Sequence, residues 1–575
     1  MNQNLTDALK HHAKNNLNDA LRFYELAYGD PEIRSEVLFQ NYGALLRKSG
    51  NSSKAIEVYE RGLKLHPEHV GINLNYSNAI RDAKPALSAF IHIKVIQSML
   101  LNNSNNEQLG DAMLFLGETL DKLGLCNWSF QIFREALEVS PKACIALANL
   151  LVLIDKNPEF LTLSPESRIA INKCLDSIID TVSDKEKLDI YYAMGNSQVA
   201  AGLIDESIKS FDKADIIFNS IKKGNGSDVL TKDMIDKKTN SSWNMSCALL
   251  KQGNFSKGWK LFDYGLITPA DGPQRWQRAL FKPFDSQEIM VWKGESLENK
   301  SILLLEEQGV GDTMMFLTLV KKIIKEAKLT VLVIAKRLKP IYKRSLNAYI
   351  KEGKLQIIAT TDFIKTPINS KKIHYQSPIG SICQYRFADI NMFGRDMPLL
   401  EANKINQSRL KELTISNDKK LIGLSWRGGA KGTRMKQKSL SIPLFSKILK
   451  PYSDKYEFVN LQYGCSEAEY KEFLDNGIRI KWIKEINPLK DMDNWLDLVS
   501  LCDGVVSVAN TTIHGAGGLG IPTMCMLGLR SDWRWLSDCR AKNSYWYPSV
   551  QIAPQKSTGW DDAIIKTQKW LATFI

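Results

Sequence analysis

Along the first 265 residues, small and aromatic positions recur at helical spacing. Counting from Gly43, Gly50 follows after seven residues, Ala55 after twelve, Tyr59 after sixteen and Pro67 after twenty-four. The same offsets return from Gly117 (Gly124, Ser129, Phe133, Pro141), from Gly195 (Gly202, Ser207, Phe211) and from Ser246 (Gly253, Gly258, Phe262). Ala8, Asn15, Ala20 and Tyr24 open the series, and Ser77, Ala89 and Ile93 keep its register after Pro67. Small residues let the two helices of a hairpin approach, the second glycine makes the turn, the aromatic fills the gap, and proline ends the second helix. The spacing predicts a succession of helical hairpins over residues 1–265, with a degenerate stretch near 150–187 and a polar insert from Lys222 to Asn240.

Past Tyr264 the period changes. Residues 266–290, with three prolines and the polar run DGPQRWQR, read as a connector. Short apolar or β-branched runs then alternate with helix-length segments: Ile302 to Leu305, Thr330 to Ala335, Leu355 to Ile358, Leu421 to Ser425, Glu457 to Leu461, Gly504 to Val508 and Thr523 to Leu527. Strands buried on both faces and separated by helices predict parallel α/β sheets. A weakly patterned stretch, 361–419, divides the runs into two Rossmann-like halves, 291–415 and 416–575, facing one another across a cleft.

The helical part resembles the tetratricopeptide repeat, whose period is about 34 residues. That resemblance implies an α-solenoid with a groove for a peptide or protein partner. The fold class is therefore α plus α/β. Apolar residues form 44% and charged residues 24% of 575, which excludes large-scale disorder. Lys plus Arg exceed Asp plus Glu by 76 to 63, and the resulting +13 suits an anionic ligand or membrane surface. No basic block long enough for a nucleic-acid tail occurs. Nine scattered cysteines without a CxxC suggest neither a disulfide framework nor a zinc site, and free thiols point to the cytoplasm. The opening MNQNLTDALKHHAK carries no apolar signal core, and the longest apolar run, Ala143 to Ile154, is shorter than the ~18 residues of a membrane span.

Three segments could carry chemistry. In the first, Ser301 to Leu317, a buried strand runs through EEQGVGD into a helix: Gly309 and Gly311 permit a tight turn and Asp312 stands at the helix start, on the sheet edge where α/β folds place ligands. Asp312 there could equally cap the helix; Glu306 and Glu307 add two further acids. In the second, Ile422 to Leu440, a strand leads into a glycine loop with Arg427, Lys431, Arg434, Lys436 and Lys438. Backbone N–H groups and guanidinium forks suit a diphosphate, although the segment is neither a P-loop nor a GxGxxG fingerprint. The third, Asp503 to Thr523, places Asn510, Thr511, Thr512 and His514 at a helix N-terminus, a ready anion site.

Together with SIPL at 441–444, FVNLQYG at 458–464, DWRW at 532–535 and WYP at 546–548, these segments resemble bacterial tetratricopeptide proteins whose C-terminal half is a GT-B glycosyltransferase. They are similar to heptosyltransferases and, more distantly, to O-GlcNAc transferase. The resemblance implies a nucleotide-sugar donor held mainly by the C-terminal half and an acceptor on the other. It implies Asp312 as the general base of an inverting transfer to a hydroxyl. Trp426, Arg427, Gly428, Arg434 and Lys438 would form the phosphate-binding loop, Gln462 would lie beside the nucleotide, and Asn510, Thr511, Thr512 and His514 would form the diphosphate-binding turn. No cofactor and no metal are implied, since Arg, Lys and a helix dipole would meet the leaving charge. Two departures, Ala509 in place of an Asp and Leu440-Ser441 before Ile442, leave the sugar and the base unassigned.

The repeats favour a Ser or Thr acceptor on a recruited protein. The alternatives are transfer to a lipopolysaccharide or other saccharide, which would place the chain at the inner membrane surface, and a non-catalytic scaffold. Nucleic acid is disfavoured because the 427–438 loop lacks interleaved aromatics. A homo-oligomer is open. The aromatics Trp533, Trp535, Trp546 and Tyr547, with Arg534 among them, read as a packing anchor between the two halves.

Overall fold

The computed structural model describes residues 2–102, 105–140, 183–201, 203–224, 230–267, 278, 288–365, 369–414, 419–429, 438–528, 531–536, 542–556 and 559–574. The chain divides into two compact units, Met1–Ser241 with Thr268–Arg275, and Ser242–Ile267 with Trp276–Ile575. Among the described residues no helix is long and apolar enough to cross a membrane. Nor do three or more His, Cys, Asp or Glu side chains there gather as a metal site.

The first unit is a series of helical hairpins. Gln3–Ala13 pairs with Leu17–Tyr28, Glu36–Lys48 with Ser52–Leu65, Val70–Ile80 with Pro85–Leu101, Asn106–Lys122 with Cys126–Val139, and Asp184–Ala201 with Ile204–Gly224. The periodic small residues mark the closest approach: a Cβ added at Gly43 would lie 2.3 Å from the Tyr59 ring, at Gly117 2.4 Å from Phe133, and at Gly195 2.5 Å from Phe211. Between paired helices, Gly50 (φ 88°) and Gly124 (φ 75°) take the left-handed conformation, as does Asn15 (φ 57°) in the first hairpin. The hydroxyl of Ser129 donates to the Gly117 carbonyl (2.7 Å), tying one helix to its partner. The 150–187 stretch falls almost wholly on residues 141–182, outside the described ones. Of the insert expected at Lys222 to Asn240, helix Ile204–Gly224 runs into the start and Lys232–Gln252 takes up the end, while residues 225–229 lie outside the described ones.

The second unit opens with the end of helix Lys232–Gln252 and helix Phe255–Phe262, joined through Gly253 (φ 90°). Two five-stranded parallel sheets follow. The first contains β1 (Met290–Val291), β2 (Ser301–Leu305), β3 (Leu329–Ile334), β4 (Leu355–Ala359) and β5 (Tyr375–Pro378), in the order β1-β5-β2-β3-β4. The second contains β6 (Lys420–Ser425), β7 (Tyr456–Asn460), β8 (Gly504–Val508), β9 (Thr523–Leu527) and β10 (Val550–Pro554), in the order β10-β9-β8-β6-β7. β2, β8 and β9 are buried at every position, as strands covered by helices on both faces must be. Three of the described strands had no sequence signal: β5 lies inside the expected divider, where the polar YQSP hides it; β1, two exposed residues long, starts at the end of the expected connector; and β10, VQIAP, is interrupted by Gln551 and ends in proline.

An aromatic core joins the two halves of this unit. Trp533 stacks on Phe316 at 6.1 Å, Trp546 meets Phe393 edge-on at 4.8 Å, and Trp259 approaches Trp533 at 5.8 Å. Arg344 adds a polar tie by pairing with Asp493 at 2.6 Å. The C-terminal aromatics therefore pack against the first half.

Candidate active site

In each sheet the strand order reverses beside its first long strand: β2 lies between β5 and β3, and β6 between β8 and β7. Open α/β sheets bind ligands at the carboxyl ends of the strands flanking such a point. All three sequence segments singled out above emerge there, after β2, β6 and β8.

After β2 the three acids part company. Glu306 accepts the Ala335 N–H at 2.6 Å and the Thr360 hydroxyl, and burial raises its pKa. Glu307 is fully buried in a clamp: Arg278 donates Nη2 to its Oε1 at 2.6 Å and Nη1 to Asp263 at 2.6 Å, and Gly380 N–H bonds the same carboxylate. Burial opposes the Arg278 charge, but Glu307 and Asp263 outweigh it and hold the guanidinium protonated. Only Asp312, of these three, stands at a helix start, that of Val310–Leu317. Its Oδ2 accepts the Gly309 N–H at 3.2 Å, which is the capping role. Its Oδ1 accepts Arg534 Nε at 2.6 Å.

That arginine leads into a chain of alternating charges. Arg534 Nη2 donates to Gln308 Oε1 at 3.0 Å, Nη1 lies 3.2 Å from Asp532 Oδ2, and Lys438 Nζ donates to the same Asp532 oxygen at 3.0 Å. Burial pushes the Asp532 carboxyl up, yet Arg534 and Lys438 prevail and hold it well below the usual carboxylate range. Gln308 is itself unusual, a non-glycine residue at φ 57° in the tight turn before the helix.

After β6, framework takes over from binding wall. Trp426 is a core side chain packed on Phe473 at 4.8 Å, its indole N–H donating to Glu469 at 3.2 Å. Gln462 is equally enclosed; its carboxamide oxygen accepts Ser425 Oγ (3.0 Å), Trp426 N–H (3.1 Å) and Arg427 N–H (2.9 Å). Both side chains are buried, and through these bonds they brace the start of the loop at Ser425 to Arg427. Arg427 donates Nε to Glu469 Oε1 at 3.0 Å, which cancels its charge, and Gly428 N–H is taken by Ser439 at 3.1 Å. Burial raises the Glu469 carboxyl, but the Arg427 bond prevails and its pKa falls. Arg434 lies outside the described residues, as do Lys431 and Lys436.

After β8, Asn510 caps helix Thr511–Leu519 by accepting the Thr512 N–H at 2.9 Å, while its Nδ2 donates to Ser425 (2.7 Å) and the Arg427 carbonyl (3.0 Å). It thereby pins the β6 loop to the helix start. Thr512 is buried and Thr511 is partly open. His514 is buried, with Nδ1 3.1 Å from the Tyr547 hydroxyl, and desolvation lowers its pKa to about 4 despite Asp312 nearby. A Cβ at Gly311 would stand 2.9 Å from His514 Cδ2 and 3.4 Å from Thr511 Oγ1. Glycine at 311 is what allows the two helix starts, one from each half, to meet.

The structure thus brings Gly309, Gly311, Asp312, Thr511 and His514 together, with Lys438 joined through Asp532. Sequence reasoning missed Gln308, Asp532 and Arg534. The signal was present in DWRW, where a charged residue stands between two buried tryptophans and must have a partner.

Comparison with known proteins matches the tetratricopeptide repeat family over residues 38–69. Protein FlbA of Caulobacter vibrioides is 21% identical over 559 residues, covering 92% of this chain and 82% of that protein. Among solved structures, MamA of Desulfovibrio magneticus RS-1 is 15% identical, covers 30% of this chain and 92% of its own, and superposes with a TM-score of 0.26. MamA of strain AMB-1 gives 18%, 30%, 98% and 0.26 in turn.

Proposed function

We propose that the second unit is an inverting glycosyltransferase that moves a sugar from a nucleotide-sugar to a hydroxyl, the repeats recruiting a protein whose Ser or Thr is the acceptor. The observation that carries this reading is the meeting of two helix starts at Gly311: a carboxylate, Asp312, on one sheet and a helix N-terminus bearing Thr511 and His514 on the other. In the reaction Asp312 takes the proton of the acceptor hydroxyl as its oxygen bonds to the anomeric carbon, and the bond to the nucleoside diphosphate breaks. The leaving diphosphate meets the N–H groups and dipole of helix Thr511–Leu519. With a pKa near 4, His514 is neutral at neutral pH and supplies a hydrogen bond, not a charge.

A thermal-shift panel of UDP, GDP, ADP, UDP-glucose, UDP-N-acetylglucosamine, GDP-mannose and ADP-heptose tests it, since a ligand of the folded state raises the melting temperature. One member should stabilise the protein, as strongly in Asp312→Asn and more weakly in His514→Ala. Turnover of that donor should fall by roughly 10²–10⁴ in Asp312→Asn. If no panel member binds or is hydrolysed, the transferase reading is wrong and the scaffold alternative takes its place.

A further inference from the structure

We propose that Arg534 is the positioning residue for Asp312, reaching from the C-terminal half to orient a carboxylate on the other half and leaving Oδ2 as its reacting oxygen. The inference rests on the transferase reading above. Asp312 Oδ1 is occupied by Arg534, whereas among the described residues Oδ2 accepts one hydrogen bond, from Gly309. A carboxylate oxygen offers about two lone-pair sites, so Oδ2 keeps one for an incoming hydroxyl. Without the arginine, one backbone N–H would be all that holds a side chain able to rotate about two bonds.

The guanidinium is itself fixed on every side. Nε and Nη2 serve Asp312, Nη2 also serves Gln308, Nη1 pairs with Asp532, and the group lies 4.4 Å from the centroid of the Trp533 ring. Asp532 is anchored in turn by Lys438 and by the Arg534 N–H at 3.1 Å. Among the described residues of this cluster, two carboxylates and two cations sum to zero. Arg534 therefore has no uncompensated charge with which to hold a diphosphate, and its part is orientation. Gln308, in a left-handed conformation unfavourable for its type, is tied to the same fork, so the turn that presents Asp312 is held by the same arginine.

The test uses the full-length protein and whichever member of the nucleotide-sugar panel is turned over, comparing wild type, Asp312→Asn, Arg534→Ala, Arg534→Lys and Asp532→Asn. Arg534→Ala should lower kcat roughly 10²-fold, the cost of a misplaced reacting group, with donor KM and donor thermal shift within about twofold of wild type. Methylguanidinium should restore part of that kcat and methylammonium should not, since only the fork reproduces the geometry; Arg534→Lys should recover less than the guanidinium does. Wild-type kcat in Arg534→Ala overturns the proposal. So does a raised donor KM at unchanged kcat, which would make Arg534 a phosphate ligand. If Arg534→Ala fails to fold, Asp532→Asn, which loosens the fork from behind, must show the same loss of kcat at constant KM. A wild-type protein inert toward every donor removes the transferase reading itself, whereas an active wild type with a dead Asp312→Asn and an unaffected Arg534→Ala removes only the positioning role.

Discussion

Replacing Gly43 by alanine should destabilise the repeat unit, although alanine is the better helix former. Gly43 lies inside helix Glu36–Lys48, where the exchange favours the helix by about 1 kcal/mol. Against this, the new Cβ would stand 2.3, 2.5 and 2.8 Å from three atoms of the Tyr59 ring, whereas ordinary contact begins at 3.4 Å. Tyr59 is fully buried and has no open side to retreat into. Overpacking costs about 1–3 kcal/mol, and three ring atoms inside 3 Å put this site at the upper end. The net loss is therefore about 2 kcal/mol. Gly29→Ala is the control, because its φ is −66° and nothing lies nearer than 3.5 Å; it should be neutral or gain up to about 1 kcal/mol. Urea unfolding of the full-length variants, followed by far-UV ellipticity, measures both. Adding Tyr59→Leu to Gly43→Ala should return part of the loss. A Gly43→Ala protein as stable as wild type would refute the close-approach reading of the periodic glycines.

Other expectations follow from the second unit. Arg278→Met leaves the buried Glu307 unpaired and should cost about 3–5 kcal/mol, most of it recovered in Arg278→Met/Glu307→Leu, as read from urea midpoints. His514 stays neutral in the folded state down to about pH 4, whereas an unfolded chain binds that proton near 6.5. The unfolded state thus holds more protons across this window, and stability should fall by about 3 kcal/mol as pH drops through it; His514→Gln should flatten that part of the profile. Asp312→Asn should bind the stabilising donor as wild type does and lose turnover, which calorimetry and donor hydrolysis separate.

Much of the architecture was legible because it rests on periodicity. The hairpins announced themselves through Gly43, Gly117 and Gly195, whose spacing to Tyr59, Phe133 and Phe211 is the contact itself. Seven of the ten described strands read as buried runs; β1, β5 and β10 did not, being short, exposed or broken by polar residues and proline. Of the site, the glycine turns and helix starts were visible because local backbone geometry demands particular residue types. Partnerships were not. Nothing in the sequence says that Arg427 faces Glu469, that Glu307 faces Arg278, or that Asp312 faces an arginine 222 positions later. Trp426 opens a loop rich in candidate ligands and Gln462 follows β7 beside it, and only burial and hydrogen bonding reveal that both brace the loop's start.

The pairing also alters which effects should travel together. A division by sequence would assign deprotonation to the first half, through Asp312, and donor binding to the second. Arg534 breaks that division, because it belongs to the second half yet its described side-chain partners are Asp312, Gln308 and Asp532. Substitutions at Thr511 and His514 should therefore act on donor affinity, while Arg534, beside them in the second half, should act with Asp312 on the rate of the chemical step. Since the fork spans the two halves, any motion that separates β2 from β9 must first pull the guanidinium off the carboxylate. On the transferase reading proposed above, the orientation of Asp312 therefore depends on the contact between the two halves, and loosening that contact should lower turnover before it lowers donor affinity.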